Sequence, residues 1–227
     1  MERSLVTSTL NCSFDTQRHV FSAKSIAELS ALQSQINPHF LYNVIDSIKW
    51  MAKLKKPYED IEQITYLLSR FFRISLHNGR EYIKVSEEIE HVMCYVKIEN
   101  IRHKDMIDIE FDVDEELLEE DILKIILQPL VENSIKHGFR NMKNKGLITI
   151  TGRKKSGCMV FCVADNGCGF DFEGDRLPQS AGSGGYGLRN VYERIKIAYG
   201  EESNLEIKSR RGNGTTVTVN INKKSTE

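Results

Sequence analysis

From Ile26 to Leu54, apolar residues recur at Ile26, Leu29, Leu32, Ile36, Phe40, Val44, Ile48, Met51 and Leu54. These steps of three and four line them up along one stripe of a long helix. A stripe that narrow needs another helix to cover it. After a break at Lys53 to Pro57, a second run of Ile61, Ile64, Leu67, Leu68, Phe71 and Ile74 predicts another helix. It stops near His77, Asn78 and Gly79, where Asn and Gly favour a C-cap. Two helices with a short connection make a hairpin whose core is too small to stand alone, so pairing of two copies into a four-helix bundle is the economical way to bury both stripes. The pattern therefore predicts a homodimer.

Beyond a hinge around Arg80 to Val85 the periodicity changes. A helix is expected from about Ser86, as N-cap, to His103, then a strand at Ile107 to Val113 and a long helix from Asp121 to Arg140. Further strands are expected at Leu147 to Arg153, Met159 to Ala164, Leu205 to Lys208 and Thr215 to Ile221, interrupted by a helix at Leu188 to Tyr199. This alternation predicts an α/β sandwich with helices on one face of a mixed sheet. The division that follows is a linker or entry segment at residues 1–23, a helical hairpin at 24–82 and the sandwich at 83–227. The stretch Phe170 to Tyr186, rich in Gly, Ser, Asp and Pro, is too long for an idle connection and is a candidate lid.

Charge excludes some classes of function. Lys plus Arg is 31 against 32 for Asp plus Glu, so no global field draws the chain to nucleic acid or lipid, and there is no local basic patch. Five cysteines, odd in number and without C-x-x-C spacing, suit a reducing compartment, which points to the cytoplasm. Cys158, Cys162 and Cys168 fit small core residues better than metal ligands. The longest apolar runs fall far short of the ~20 residues that cross a bilayer.

Four motifs carry chemistry. In Ile36-Asn37-Pro38-His39-Phe40-Leu41-Tyr42-Asn43, a proline inside a helix costs roughly 3 kcal/mol. A kink there would expose His39, with Asn43 one turn on along the same face; a helix boundary before proline is the plainer alternative. In Leu127-Gln128-Pro129-Leu130-Val131-Glu132-Asn133-Ser134-Ile135-Lys136-His137-Gly138, helical spacing puts Asn133, Lys136 and His137 on one face. An amide oxygen suits Mg²⁺, and Lys136 and His137 are able to meet phosphate oxygens; a solvated polar face is the alternative. Asp165-Asn166-Gly167-Cys168-Gly169 at a strand end is either a simple turn or a carboxylate pointed into a pocket, where it would accept the exocyclic amine of adenine. Gly182-Ser183-Gly184-Gly185-Tyr186-Gly187-Leu188 runs into a helix and offers free amides to phosphates. It fits a dinucleotide fingerprint only in letters, since a loop containing Pro178 precedes it instead of a strand. The Gly212-Asn213-Gly214 turn then opens the last strand, whose Thr215 and Thr216 hydroxyls either line a pocket or satisfy the sheet edge.

The order Asn133, Asp165, Gly187, Gly214 resembles the N, G1, G2 and G3 boxes of the GHKL ATPase superfamily, which unites gyrase, histidine kinase and MutL relatives. ALQSQINPHFLYN together with LQPLVENSIKHG resembles the LytS-type sensor histidine kinases, and the likeness covers roughly residues 24 to 222. The resemblance implies a dimerising helical hairpin, a four-helix bundle in the dimer, followed by a GHKL-type α/β sandwich that binds ATP and Mg²⁺. His39 would be the phospho-acceptor, Asn133 the Mg²⁺ ligand, Lys136 and His137 phosphate-side residues and Asp165 the adenine contact. Gly167 and Gly169 would shape the pocket, Gly185 and Gly187 would hinge the lid, and Leu188, Thr215 and Thr216 would complete the ATP site. The implied activity is ATP-dependent autophosphorylation on His39 and transfer to an aspartate of a response regulator receiver domain. Asn43 would assist the reverse dephosphorylation by placing water. Such a kinase core would reach a membrane only through a sensor region absent from this chain. Two positions depart from many other histidine kinases: Phe40 stands where an acid often follows the histidine, and Pro129 stands one turn before Asn133 in place of a polar residue. A GHKL protein kinase acting on Ser or Thr and an ATP-binding dimeric scaffold are the rival readings.

Overall fold

The computed structural model describes residues 38–54, 58–103, 105–140, 142, 144–155, 157–174 and 185–222. The apolar stripe from Ile26 to Ile36 and the centre of the candidate lid, residues 175–184, lie outside these. The chain divides into two compact units, Met1–Asp46 and Ser47–Glu227. Its described elements are α1 (Pro38–Lys53), α2 (Tyr58–Leu76), β1 (Tyr82–Lys84), α3 (Val85–His103), β2 (Ile107–Val113), β3 (Asp121–Leu123), α4 (Leu127–Asn133), β4 (Gly146–Lys155), β5 (Cys158–Asp165), β6 (Phe172–Gly174), α5 (Gly185–Tyr199), β7 (Asn204–Ser209) and β8 (Thr215–Asn222).

Six strands form one sheet in the order β2-β4-β5-β8-β7-β6, with β2 and β4 parallel and every other pair antiparallel. Strict alternation decides which face is covered. Ile148 and Ile150 on β4, Met159, Phe161 and Val163 on β5, Leu205 and Ile207 on β7, and Val217, Val219 and Ile221 on β8 are all buried. Their neighbours on the other face, such as Thr149, Thr151, Thr216 and Thr218, are half-exposed. Helices α3, α4 and α5 pack over the buried face, giving the expected two-layer sandwich.

Three local expectations need correction. The stretch Asp121 to Arg140 is not one long helix. Its first three residues pair antiparallel with β1, Tyr82 facing Leu123, and the helix is confined to Leu127–Asn133, followed by a π-helical turn at Ser134–Gly138. A continuous apolar run such as Ile122 to Leu127 fits a buried strand as well as a helix, and here the free edge of β1 decides. The region Arg80 to Val85, expected as a hinge, contains that pairing strand. Nor does Ser86 cap α3: the helix starts at Val85, and the Glu87 carboxylate accepts the backbone N–H of Lys84 at 2.9 Å, the backward half of a capping box.

Helix α2 does not leave its stripe for a second copy alone. Phe71 stacks on the imidazole of His91 from α3, centroids 4.2 Å apart, and Ser75 Oγ lies 2.8 Å from His91 Nε2. Ser75 gives its single proton to the Phe71 carbonyl at 2.8 Å, so His91 Nε2–H is the donor in the second bond. Nδ1 is then a bare, buried acceptor without a hydrogen-bond partner among the described residues. Desolvation, helped by the charge of Lys124, pulls the His91 pKa down to about 3. A depressed folded-state value means that stability is whole above the ordinary histidine value of ~6.5 and drains away as pH falls toward the folded value. Each pH unit in that window costs about 1.4 kcal/mol. Thermal melts between pH 7 and 5 are expected to show this loss in the unaltered chain and a much flatter dependence in His91→Leu.

Candidate functional site

The end of β5 and the turn after it enclose one carboxylate. Asp165 is half-buried on the helix-covered side of the sheet. Its Oδ1 accepts the backbone N–H groups of Gly167 at 2.9 Å and Thr215 at 3.2 Å, and its Oδ2 accepts the Ser134 hydroxyl at 2.8 Å. Three glycines make this enclosure possible. A Cβ on Gly214 would stand 1.8 Å from the Asp165 carbonyl oxygen, one on Gly167 would stand 2.6 Å from the Gly138 backbone, and one on Gly138 would press on Asp165 Oδ1 at 3.2 Å. Gly169, at φ +57°, brings the loop against Arg210, whose carbonyl oxygen would be 2.1 Å from a Cβ there. Asn166 fastens the same turn to β4, with its Oδ1 accepting from Leu147 N–H at 2.8 Å, while Cys168 N–H donates to Gly138 O at 2.8 Å.

Asn133 closes the other side. Its Nδ2 is buried and has no hydrogen-bond partner among the described residues, and its neighbour across the gap is Gly187 of α5, whose missing Cβ would sit 3.6 Å from that nitrogen. A buried amide without a partner is costly unless something completes it. Asn133 and Ser134 are consecutive, so the helix end that carries the orphan amide also supplies the hydroxyl on Asp165.

The remaining sequence-derived residues are distributed unevenly about this centre. Lys136 is exposed and ion-paired with Glu132, and His137 is exposed, with its carbonyl accepting Cys168 Sγ–H at 3.4 Å. Thr215 serves Asp165 through its backbone, while its hydroxyl is bonded to Ser209 Oγ at 2.9 Å. Thr216 alternates to the opposite face with Thr218, and Gly185, Gly187 and Leu188 form the first turn of α5. Ser134 and Gly138 stand inside the motif without a distinguishing spacing: helical geometry alone places Ser134 one residue off the face of Asn133, and only the packing against β5 brings it to Asp165.

In the other unit, His39 is exposed on α1 and Asn43 lies one turn on, its Nδ2 3.1 Å from His39 Nδ1 and 3.5 Å from Nε2. Phe40 is buried, so the position after the histidine belongs to the apolar stripe, where desolvation would penalise a carboxylate. Among the described residues, Asn43 is a polar side chain that meets the imidazole.

Residues 27–107 match the histidine kinase family, and residues 118–225 match the family of histidine kinase-, DNA gyrase B- and HSP90-like ATPases. The sensor histidine kinase YesM of Bacillus subtilis (strain 168) is 37% identical over 194 residues, 86% of this chain and 33% of the relative. The sensor protein LytS of Staphylococcus epidermidis (strain ATCC 12228 / FDA PCI 1200) is 33% identical over 207 residues, 88% of this chain and 34% of the relative. The catalytic domain of histidine kinase ThkA aligns with a TM-score of 0.48 and 21% identity, covering 63% of this chain and 95% of that one. The chain thus spans about a third of the length of the curated relatives it matches. A helical region followed by a mixed α/β sheet with a glycine-lined carboxylate defines a histidine kinase-type ATPase domain. The chain carries a histidine kinase region followed by an ATPase region, and over most of its length it is similar to sensor histidine kinases of the YesM and LytS kind.

Proposed function

We propose that this chain is the kinase core of a two-component sensor, phosphorylating itself on His39 at the expense of ATP and passing the phosphoryl group to an aspartate of a response regulator receiver domain. The observation that carries the reading is the enclosure of Asp165 by Ser134, Gly167 and Thr215, with the orphan amide of Asn133 on the same helix end. Asp165 accepts the adenine amine. Asn133 offers Oδ1 to Mg²⁺ and Nδ2 to a phosphate oxygen, and Lys136 and His137 stand at the phosphate end. Mg²⁺, when bound, neutralises charge on the phosphates. A ring nitrogen of neutral His39 attacks the γ-phosphorus; the N–P bond forms as the bond to the bridging oxygen breaks, ADP leaves with that electron pair, and the proton on the other ring nitrogen is lost to solvent. The protein contributes chiefly position and charge.

The hairpin at 24–82 dimerises, and the sandwich at 83–227 binds the nucleotide. Exposed Trp50, Tyr58 and Tyr66, within the second compact unit, support a face for a second copy. No helix among the described residues is long and apolar enough to cross a membrane. Incubating the chain with γ-labelled ATP tests the reading: acid-labile, alkali-stable label that chases onto a receiver domain is expected. Acid-stable label on a partner's Ser or Thr, or saturable ATP binding without any label, would replace it with one of the two rival readings.

A further inference from the structure

One acidic side chain that the proposed chemistry does not use is completely buried. Glu88, on α3, is 0% exposed, and its carboxylate accepts three consecutive backbone N–H groups: Ile125 on Oε2, Ile126 and Leu127 on Oε1, each at 2.8 Å. These amides open α4, whose own N-cap residue Ile126 makes no side-chain cap bond. Burial raises the Glu88 pKa, opposed by the backbone amides of Ile125, Leu127, Ile126 and Gln128. The other side of the turn is gripped from α5, where the Arg194 guanidinium donates to Ile125 O at 2.8 Å and Lys124 O at 2.7 Å. Tyr199, also on α5, accepts Leu123 N–H at 2.6 Å. At the centre is Ile125 with φ 58°, a conformation that a β-branched residue adopts only when its surroundings force it.

The position of this clamp gives it a role. Gly187 and Arg194 are seven residues apart, two turns of α5 and about 10 Å, so they share a face. Gly187 lies beside Asn133 at the end of α4, and Arg194 holds the turn at its start. Helix α5 therefore runs along α4 with one contact at each end. A relaxed turn would let α4 slide or fray, moving Asn133 and Ser134 away from Gly187 and Asp165.

We infer that Glu88, with Arg194 opposite, is a positioning residue for the nucleotide site, fixing the start of α4 so that Asn133 and Ser134 are delivered to their places; this rests on the nucleotide reading given above. An amide in place of the carboxylate brings a donor against donors. Glu88→Gln is expected to weaken binding of a fluorescent ATP analogue with Mg²⁺ to the full chain at least ~10-fold. The apparent KM for ATP should rise by a similar factor, the labelling rate at saturating ATP should change far less, and hydrogen exchange at the amides of residues 125–127 should accelerate. Arg194→Lys, whose single ammonium nitrogen lacks the planar fork that meets the two carbonyls from two nitrogens, should shift affinity in the same direction by less, and it carries the test if Glu88→Gln does not fold. Ile64→Ala, a fully buried position on α2 outside the sandwich, controls for simple destabilisation and should keep the unaltered affinity. Unchanged nucleotide affinity in Glu88→Gln or Arg194→Lys, or an equal loss in Ile64→Ala, overturns the inference. Failure of the unaltered chain to bind the nucleotide sinks the reading beneath it, and the exchange rates still report separately whether Glu88 holds the turn.

Discussion

His39→Gln is expected to eliminate acid-labile phosphate from the chain, a drop of at least ~10³-fold in labelling, while nucleotide affinity stays within a factor of about two. The two halves of the prediction come from different parts of the chain. His39 is exposed on α1, and the groups that enclose Asp165 are bonded to it from within the sandwich itself. Glutamine keeps the helix, since exposed His and Gln differ by only a few tenths of a kcal/mol in helix propensity. What it lacks is a ring lone pair: an amide nitrogen is delocalised into its carbonyl and does not attack phosphorus. Asn43, already beside the ring, is likewise an amide and offers no substitute nucleophile. Labelled phosphate is measured after acid and alkali treatment; label that persists in the variant would mean that another side chain is the acceptor.

How much of this was written in the sequence depends on the range of the forces involved. Strands of period two with turns between them were legible because alternation is local: Met159, Phe161 and Val163 announce their burial without reference to anything else. Asp165 was legible as an acceptor because the glycines after it license a close backbone approach. The short strand β3 was not, since Asp121 to Leu123 becomes a strand only because β1 presents an edge 37 residues earlier in register, Lys84 facing Asp121. The same non-locality hid Glu88 and Arg194. On their own helices each is one charged residue among many, and nothing in spacing distinguishes Glu88 from its half-buried neighbours Glu87 and Glu90 until the fold brings three amides to it. Ser134 lies between these cases: it stands inside the motif, yet its bond to Asp165 depends on how a π-helical turn meets a strand end 31 residues on.

Asp165→Asn is expected to fold and yet to lose ATP affinity by roughly 30- to 100-fold, because its partners tolerate an amide on one side only. With Oδ1 retained, the Gly167 and Thr215 amides keep their acceptor. Nδ2 would then occupy the place of Oδ2 and face Ser134, whose hydroxyl is able to turn, accept from the new amide and donate instead toward Leu130 O, 3.4 Å away. The protein loses little. A bound adenine loses more: its exocyclic N–H meets a donor where it had a charged acceptor, a change worth about 2–2.8 kcal/mol, or that 30- to 100-fold. The same inversion favours a purine with an oxygen at that position, which accepts where adenine donates. Titrating ATP and inosine triphosphate against both proteins should therefore show the preference for ATP narrowing or reversing in the variant. Equal losses for the two nucleotides would indicate general damage to the pocket, and unchanged ATP affinity would remove Asp165 from adenine recognition altogether.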